Sequence, residues 1–192
     1  MRFHLPITVI FLWYTILTHM NASSVMVYSN KHTHYMKLAL RHAQHAFREK
    51  EVPIGAVLVD EHGVVISAAR NRVEALCDAT AHAEMECLRA ASKIKKNWRL
   101  INCTLYTTLE PCAMCASAIQ SSRVKKVVYA APDTRLGAFG SWVDLIKAQH
   151  PFHSIEIERG VCEEESSLLL KRFFQMRRRE GSDFKFSEDE VL

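Results

Sequence analysis

Two short segments, His82-Ala83-Glu84 and Pro111-Cys112-Ala113-Met114-Cys115, constrain what this chain can fold into more than any other feature. His82, Cys112 and Cys115 carry metal-ligand side chains, and Glu84 is a carboxylate that need not bind the metal. Three neutral-imidazole or thiolate ligands hold a tetrahedral Zn2+ and leave its fourth position for water, the arrangement of a catalytic site. Zinc lowers the pKa of that water to roughly 7. A carboxylate two residues from the histidine is then placed to take and deliver protons. The fold must bring together segments separated by 28 residues, counted from Glu84 to Cys112, and the chemistry they ask for is hydrolysis.

Other readings of the same residues make different demands. A lone C-x-x-C can be a redox pair or half of a structural zinc knuckle. A redox pair needs no His-x-Glu upstream. A structural zinc needs a fourth ligand, and Cys77, Cys87 and Cys103 are close in sequence. Cys87 lies five residues past His82, about 140° around a helix, which makes it a poor partner. One catalytic Zn2+ per subunit is the expectation.

The 192 residues suffice for one domain with a real core. A hydrophobic fraction of 48% and a charged fraction of 24% are those of an ordinary globular protein. Net charge is only +4, but basic residues gather at Lys93, Lys95 and Lys96, at Arg123, Lys125 and Lys126, and at Lys171, Arg172 and Arg177 to Arg179. Such clusters fit a polyanionic partner, although a single one is more often a solvated face. The six cysteines do not resemble a disulfide framework in a chain of this size, and a thiolate site suits a reducing compartment. Residues 5–17 form an apolar run after Arg2, with small residues at Ala22-Ser23-Ser24. This reads as a signal-peptide core and is too short for a confident membrane span. An export signal, an organelle-import leader and translated upstream sequence are the three explanations, with later starts at Met26 and Met36. The thiolates and basic clusters favour the cytoplasm, with an organelle lumen such as the plastid as the alternative. The chain thus divides into a leader or spurious extension at 1–31, a zinc-dependent domain at 32–180 and an acidic tail at 181–192, expected to be disordered.

From about Tyr35 the pattern becomes regular. Met36, Leu38, Leu40, Ala43, Ala46 and Phe47 outline the apolar face of a helix that Pro53 ends. Ile54 to Val59 and Val64 to Ala68 read as hairpin strands around Asp60-Glu61-His62-Gly63. Asn71 to Ala79 reads as a loop. Thr80 offers an N-cap for a helix over 81–96. Cys103 to Thr108 alternates as a strand, Glu110-Pro111 opens a second helix, and Val124 to Ala130 is a third buried strand with that helix as its crossover. Asp133 to Trp142 is a glycine-containing loop, Ile155 to Ile157 an edge strand and 163–179 a closing helix. Both metal-binding segments therefore fall at helix N-termini, where dipole and free N–H groups favour anions. The alternation predicts an α/β architecture with helices on both faces of the sheet.

The H-x-E…P-C-x-x-C pattern resembles the signature of the zinc nucleobase deaminases. The similarity extends to Glu51-Val52-Pro53-Ile54-Gly55-Ala56-Val57, Asn71-Arg72, Thr80 to Glu84, Asn97-Trp98-Arg99-Leu100 and Thr104 to Cys112. It also includes Gly140-Ser141, Gly160-Val161 and Phe173 to Arg178. Together these segments resemble the bacterial and organellar tRNA adenosine deaminases, over about residues 32–180. The resemblance implies a three-layer α/β/α cytidine-deaminase-like fold with a central mixed five-stranded sheet. It implies conversion of adenosine to inosine at wobble position 34 of a tRNA, with an arginine tRNA as the expected substrate. His82, Cys112 and Cys115 would hold zinc, zinc hydroxide would attack C6, and Glu84 would shuttle protons. By similarity Asn71 contacts the flipped nucleoside, Pro53, Leu109 and Asp133 wall its pocket, and Phe174, Arg177 and Arg178 contact neighbouring nucleotides. The family resemblance also implies a homodimer whose two subunits both touch each anticodon loop.

Aromatic residues among the basic residues of Lys171 to Arg179 suit stacking and phosphate contact on an unpaired loop, with Phe173 or Phe174 packing in the core. Trp98, Trp142 and Leu136 are candidates for an apolar contact surface, or for the core. Ala79, Ser117 and Ala68-Ala69-Arg70 depart from the family pattern without removing a ligand or proton carrier. Two alternatives are a zinc deaminase of a free nucleoside, nucleotide or base, and a non-catalytic, zinc-stabilised RNA-binding subunit.

Overall fold

A computed structural model describes residues 22–147 and 153–185, with side chains over 31–147 and 153–180. The leader at 1–31 and the tail at 181–192 fall largely outside these residues. Helix α1, Ala22–Arg48, buries Met36, Ala39, Leu40, Ala43 and Ala46. These positions recur at three- and four-residue intervals and make one stripe. Leu38, expected on that face, is only partly buried, and Ala39 takes the central position.

The helix backbone at that position comes down onto a glycine. Strand β1, Gly55–Val59, passes so close beneath α1 that a Cβ on Gly55 would lie 2.1 Å from the Ala39 carbonyl oxygen and 2.6 Å from the Ala43 nitrogen. Only glycine permits this approach.

β2, Val65–Arg70, returns antiparallel to β1, with a register irregularity between Leu58 and Val59. A four-residue turn of helix, α2 (Val73–Leu76), interrupts the loop expected between Asn71 and Ala79. Then follow α3 (Ala83–Lys95), β3 (Thr104–Leu109), α4 (Ala113–Ser121), β4 (Lys126–Ala131), β5 (Glu156–Arg159) and α5 (Glu163–Lys185). The sheet order is β2-β1-β3-β4-β5. β1 is antiparallel to β3, whereas β3–β4 and β4–β5 are parallel. The mixed five-stranded sheet flanked by helices is the expected fold class.

Strand alternation explains the two cores. Ala56, Leu58, Leu105, Val127 and Tyr129 face the layer of α3 and α4, packing with Ala83, Cys87, Leu88, Ala116 and Ile119. Val57, Val59, Tyr106, Val128 and Ala130 face α1. α5 lies on the α1 side: Phe173 is buried edge-to-face against Phe47, and the Ser166 hydroxyl donates to the Thr108 carbonyl. Trp98, Trp142 and Leu136 are all more than half exposed or at that limit (50%, 61% and 54%), so they do not belong to the core.

Candidate active site

The connections that enter α3 and α4 bring two helix N-termini to the same site. The caps differ from the expected ones. His82 and Cys112 are themselves the N-cap residues, extended at φ −69°, ψ 153° and φ −70°, ψ 172°. Thr80 is occupied elsewhere: its N–H and hydroxyl both donate to Asp78 Oδ1 at 2.7 Å, and Arg89 donates to its hydroxyl at 2.9 Å. Pro111 precedes the cap instead of opening the helix. Cys112 and Cys115 hold N-cap and N3 positions, which face one another at any helix start. This explains how a C-x-x-C pair converges without unusual backbone.

The His82 Nδ1 atom lies 3.6 Å from both Cys112 Sγ and Cys115 Sγ, and all three ligand atoms lie within 4.8 Å of one another. Tetrahedral bonds of Zn–S near 2.3 Å and Zn–N near 2.0–2.1 Å put nitrogen and sulfur about 3.6 Å apart, so the donor set fits zinc. No fourth protein ligand joins this group among the described residues. Cys87 is buried against Ser67 at 3.1 Å, and Cys77 is exposed. A closed structural zinc site lacks its fourth ligand. Zn2+ is the cofactor of this site.

The Cys112 thiol is pulled down to about 4, chiefly by its hydrogen bond with Cys115 and further by His82. Cys115 is pushed up by that same hydrogen bond and by burial, while His82 is raised mainly by its bond to Cys112. One thiolate thus forms readily and the pair retains a proton. A bound cation offsets the second negative charge.

Glu84 is 3% exposed, and burial raises its pKa above the ordinary carboxylate value. Its Oε2 and the nearby Thr107 Oγ1 are buried without a hydrogen-bond partner. An unpartnered buried carboxyl oxygen beside a metal site is unusual, because such burial is costly when nothing accepts or donates. A carboxyl group so placed can hold or give up a proton.

His82, Glu84 and Cys112 open onto a cleft of about 670 Å³ that Asn71, Leu109, Asp133, Phe174 and Arg177 also line. Eight sequence-selected residues therefore converge. Cys115 is buried behind the lining. Pro53 is buried as well, and the cleft wall there consists of its neighbours Val52 and Ile54. Arg178 is exposed and outside the lining. Phe173 is the core aromatic, 3% exposed, and Phe174 is partly exposed with the Arg135 guanidinium 5.7 Å from its ring centroid.

Sequence reading missed two buried acids. Glu51 Oε2 accepts from Asn71 Nδ2 at 3.1 Å, and its Oε1 accepts from the Ala75 N–H at 2.8 Å. Glu110 accepts from the backbone N–H groups of Asp133 (3.1 Å), Phe139 (2.9 Å) and Ser141 (3.2 Å), fastening the far wall. Both sit inside the segments that carry the resemblance, but their partners lie 20–31 residues away.

A hydrolytic zinc centre set at two helix N-termini above this mixed sheet defines the zinc deaminase class. Residues 29–131 match the cytidine and deoxycytidylate deaminase zinc-binding region. The chain is 45% identical over 159 residues to the chloroplastic tRNA(adenine(34)) deaminase of Arabidopsis thaliana, covering 74% of this chain but spanning only 12% of that protein. It is also 45% identical over 145 residues to the tRNA-specific adenosine deaminase of Haemophilus influenzae, covering 76% and 84% of the two chains. A solved structure from studies of A-to-I editing by tRNA:A34 deaminases superposes with a TM-score of 0.67 at 41% identity, covering 72% of this chain and 99% of that one. The chain belongs to the cytidine and deoxycytidylate deaminase family and, within it, to the tRNA-specific adenosine deaminases.

Proposed function

We propose that this protein hydrolyses adenosine to inosine at wobble position 34 of a tRNA, an arginine tRNA being the expected substrate. The observation that carries the reading is that the zinc ligands His82 and Cys112 and the aromatic-basic stretch of α5 line one cleft. Lys171, Arg177, Phe174 and Arg135 rim the opening that leads to His82 and Glu84. A free nucleoside has no phosphate chain or neighbouring base for such a rim to hold, whereas an unpaired RNA loop has both.

Bound zinc supplies hydroxide at neutral pH by lowering the pKa of water. Glu84 would take the two protons of the attacking water in turn, passing the first to the adenine ring nitrogen as the oxygen bonds to C6 and the second to the amino group as the C6–N bond breaks and ammonia leaves. Its burial suits both directions of transfer. Asn71 holds the flipped nucleoside, Leu109 and Asp133 wall it, and Pro53 backs the wall through Val52 and Ile54. Phe174 stacks on a neighbouring base, Arg177 meets a phosphate at the rim, and Arg178 meets one beyond it. Exposed Trp98, Trp142 and Leu136 are the apolar surface offered to a second subunit in a homodimer. All six cysteines are free, which agrees with a reducing compartment, the cytoplasm or an organelle interior. No described helix is long and apolar enough to cross a membrane.

The test incubates the zinc-loaded chain with a tRNA bearing adenosine 34, free adenosine and free cytidine, and measures inosine and uridine. Inosine in the tRNA is expected. Turnover of a free nucleoside without any tRNA product overturns the substrate reading. Glu84→Gln is expected to lower turnover by three orders of magnitude or more, on the order of 4 kcal/mol, while zinc content stays at one per chain.

A further inference from the structure

We infer that Glu51 is a positioning residue that fixes which way the Asn71 amide faces the cleft, an assignment that rests on Asn71 being a nucleoside contact. Glu51 is 1% exposed and lies one segment away from the metal site, between α1 and β1. Each of its two carboxyl oxygens faces an N–H donor and accepts from it. Oε2 accepts from Asn71 Nδ2 at 3.1 Å. Turning the Asn71 side chain by 180° would set its carbonyl oxygen against that carboxylate, so one flip state is selected. The Asn71 backbone is held as well, its N–H donating to the Ile54 carbonyl at 3.0 Å. With one amide hydrogen engaged, the carbonyl oxygen and the second N–H remain for the cleft in a fixed order. A ligand edge can then be read by donor and acceptor pattern, because water does not compete at a residue only 3% exposed.

Oε1 completes the arrangement. It accepts from the N–H of Ala75, the third residue of α2. Arg72, the N-cap of that helix, makes no side-chain cap bond, so Glu51 supplies the missing cap from another part of the chain. Both oxygens must therefore be acceptors. Glutamine at this position would turn an N–H2 group toward one of the two donors, leaving either Ala75 or Asn71 unmatched.

The test is a double-mutant cycle on the zinc-loaded chain with Glu51→Gln, Asn71→Ala and both, measuring kcat and KM separately. Glu51→Gln is expected to lower kcat/KM about tenfold to a hundredfold in the wild-type background and less than about twofold when Asn71 is already alanine. Equal losses in both backgrounds, no loss in the first, or loss of zinc from the single variant would each overturn the assignment. Glu51→Asp, which keeps two acceptors but withdraws them, provides the same cycle if glutamine prevents folding. If the wild-type chain turns over a free nucleoside and no tRNA, the cycle is run on that nucleoside. Non-additivity there upholds the role of Glu51 while the tRNA reading falls.

Discussion

Gly137 packs so tightly against Glu110 that a Cβ in its place would lie 2.4 Å from the carboxyl carbon and 2.5 Å from Oε2. The contact is the keystone of the 133–141 wall. Glu110 reaches three backbone N–H groups of that loop because nothing but hydrogen separates it from Gly137. A larger side chain would also meet the Asp133 carbonyl oxygen at 2.5 Å.

Gly137→Ala is therefore expected to destabilise the fold by about 1–3 kcal/mol and to weaken substrate binding by displacing Asp133. Thermal melting and KM check the two effects. A variant with wild-type melting and wild-type KM would show that the loop shifts at no cost.

Removal of zinc by a chelator is expected to lower the melting temperature. A ligand held only by the folded state adds stability of about 4 kcal/mol when present at a thousandfold its dissociation constant. His82→Ala and Cys112→Ser should each fall well below one zinc per chain by elemental analysis, whereas Cys77→Ser, at an exposed thiol, should retain it. Equal zinc contents in all three would contradict the ligand set.

Arg177 and Phe174 line the same cleft but should respond to salt in different ways. Arg177→Ala is expected to reduce the slope of log affinity against log salt by about 0.7, the value for one phosphate contact on a single strand. A phosphate there must first displace Glu180, which pairs with Arg177 at 3.1 Å. Phe174→Ala should weaken binding by about 1–3 kcal/mol with the slope unchanged, as a lost stacking contact does. Binding titrations from low to high salt separate the two.

A pH dependence of stability is expected at His32, far from the metal. His32 Nδ1 lies 2.9 Å from the Tyr106 hydroxyl and Nε2 lies 3.4 Å from Glu158 Oε2, which Lys126 also reaches at 2.6 Å. Burial holds the imidazole pKa below its ordinary value, Glu158 opposes this, and Lys126 and Lys31 reinforce it. The folded chain thus prefers the neutral ring. Its stabilising contribution is complete above the ordinary value of 6.5 and is lost as pH falls toward the depressed one. Melting temperatures should decline between neutral pH and about 5, less steeply in His32→Gln. His42, held low by burial and by His45 and Arg70, leaves part of the slope in that variant. An unchanged slope would remove His32 as a source.

The strand and helix order was legible because apolar periodicity reports burial directly, and the ligand triad was legible because few residue types bind zinc. The caps were not. Thr80 is a better N-cap by composition than His82, but Asp78 captures it, a local competition that residue preference does not weigh. Glu51 and Glu110 were invisible for a related reason. An acid in a sequence reads as a solvated charge, and only the fold brings N–H donors from distant segments to it. The N-terminal extent of α1 to Ala22 also exceeds the periodic region that marked it.

The position of Phe173 and Arg177 late in the chain bears on synthesis as well as on binding. All three zinc ligands have been made once residue 115 is complete, and β4, which pairs with β3, ends at residue 131. Lys171, Phe174 and Arg177 of the cleft rim lie on α5, which is anchored by Ser166 to the Thr108 carbonyl and by Phe173 to Phe47. A chain emerging from the ribosome N-terminus first has the residues to bind its metal before it has those proposed to grip RNA. On that proposal, an immature chain that has the zinc-binding residues would still lack its grip on the transfer RNAs crowded around the translating ribosome.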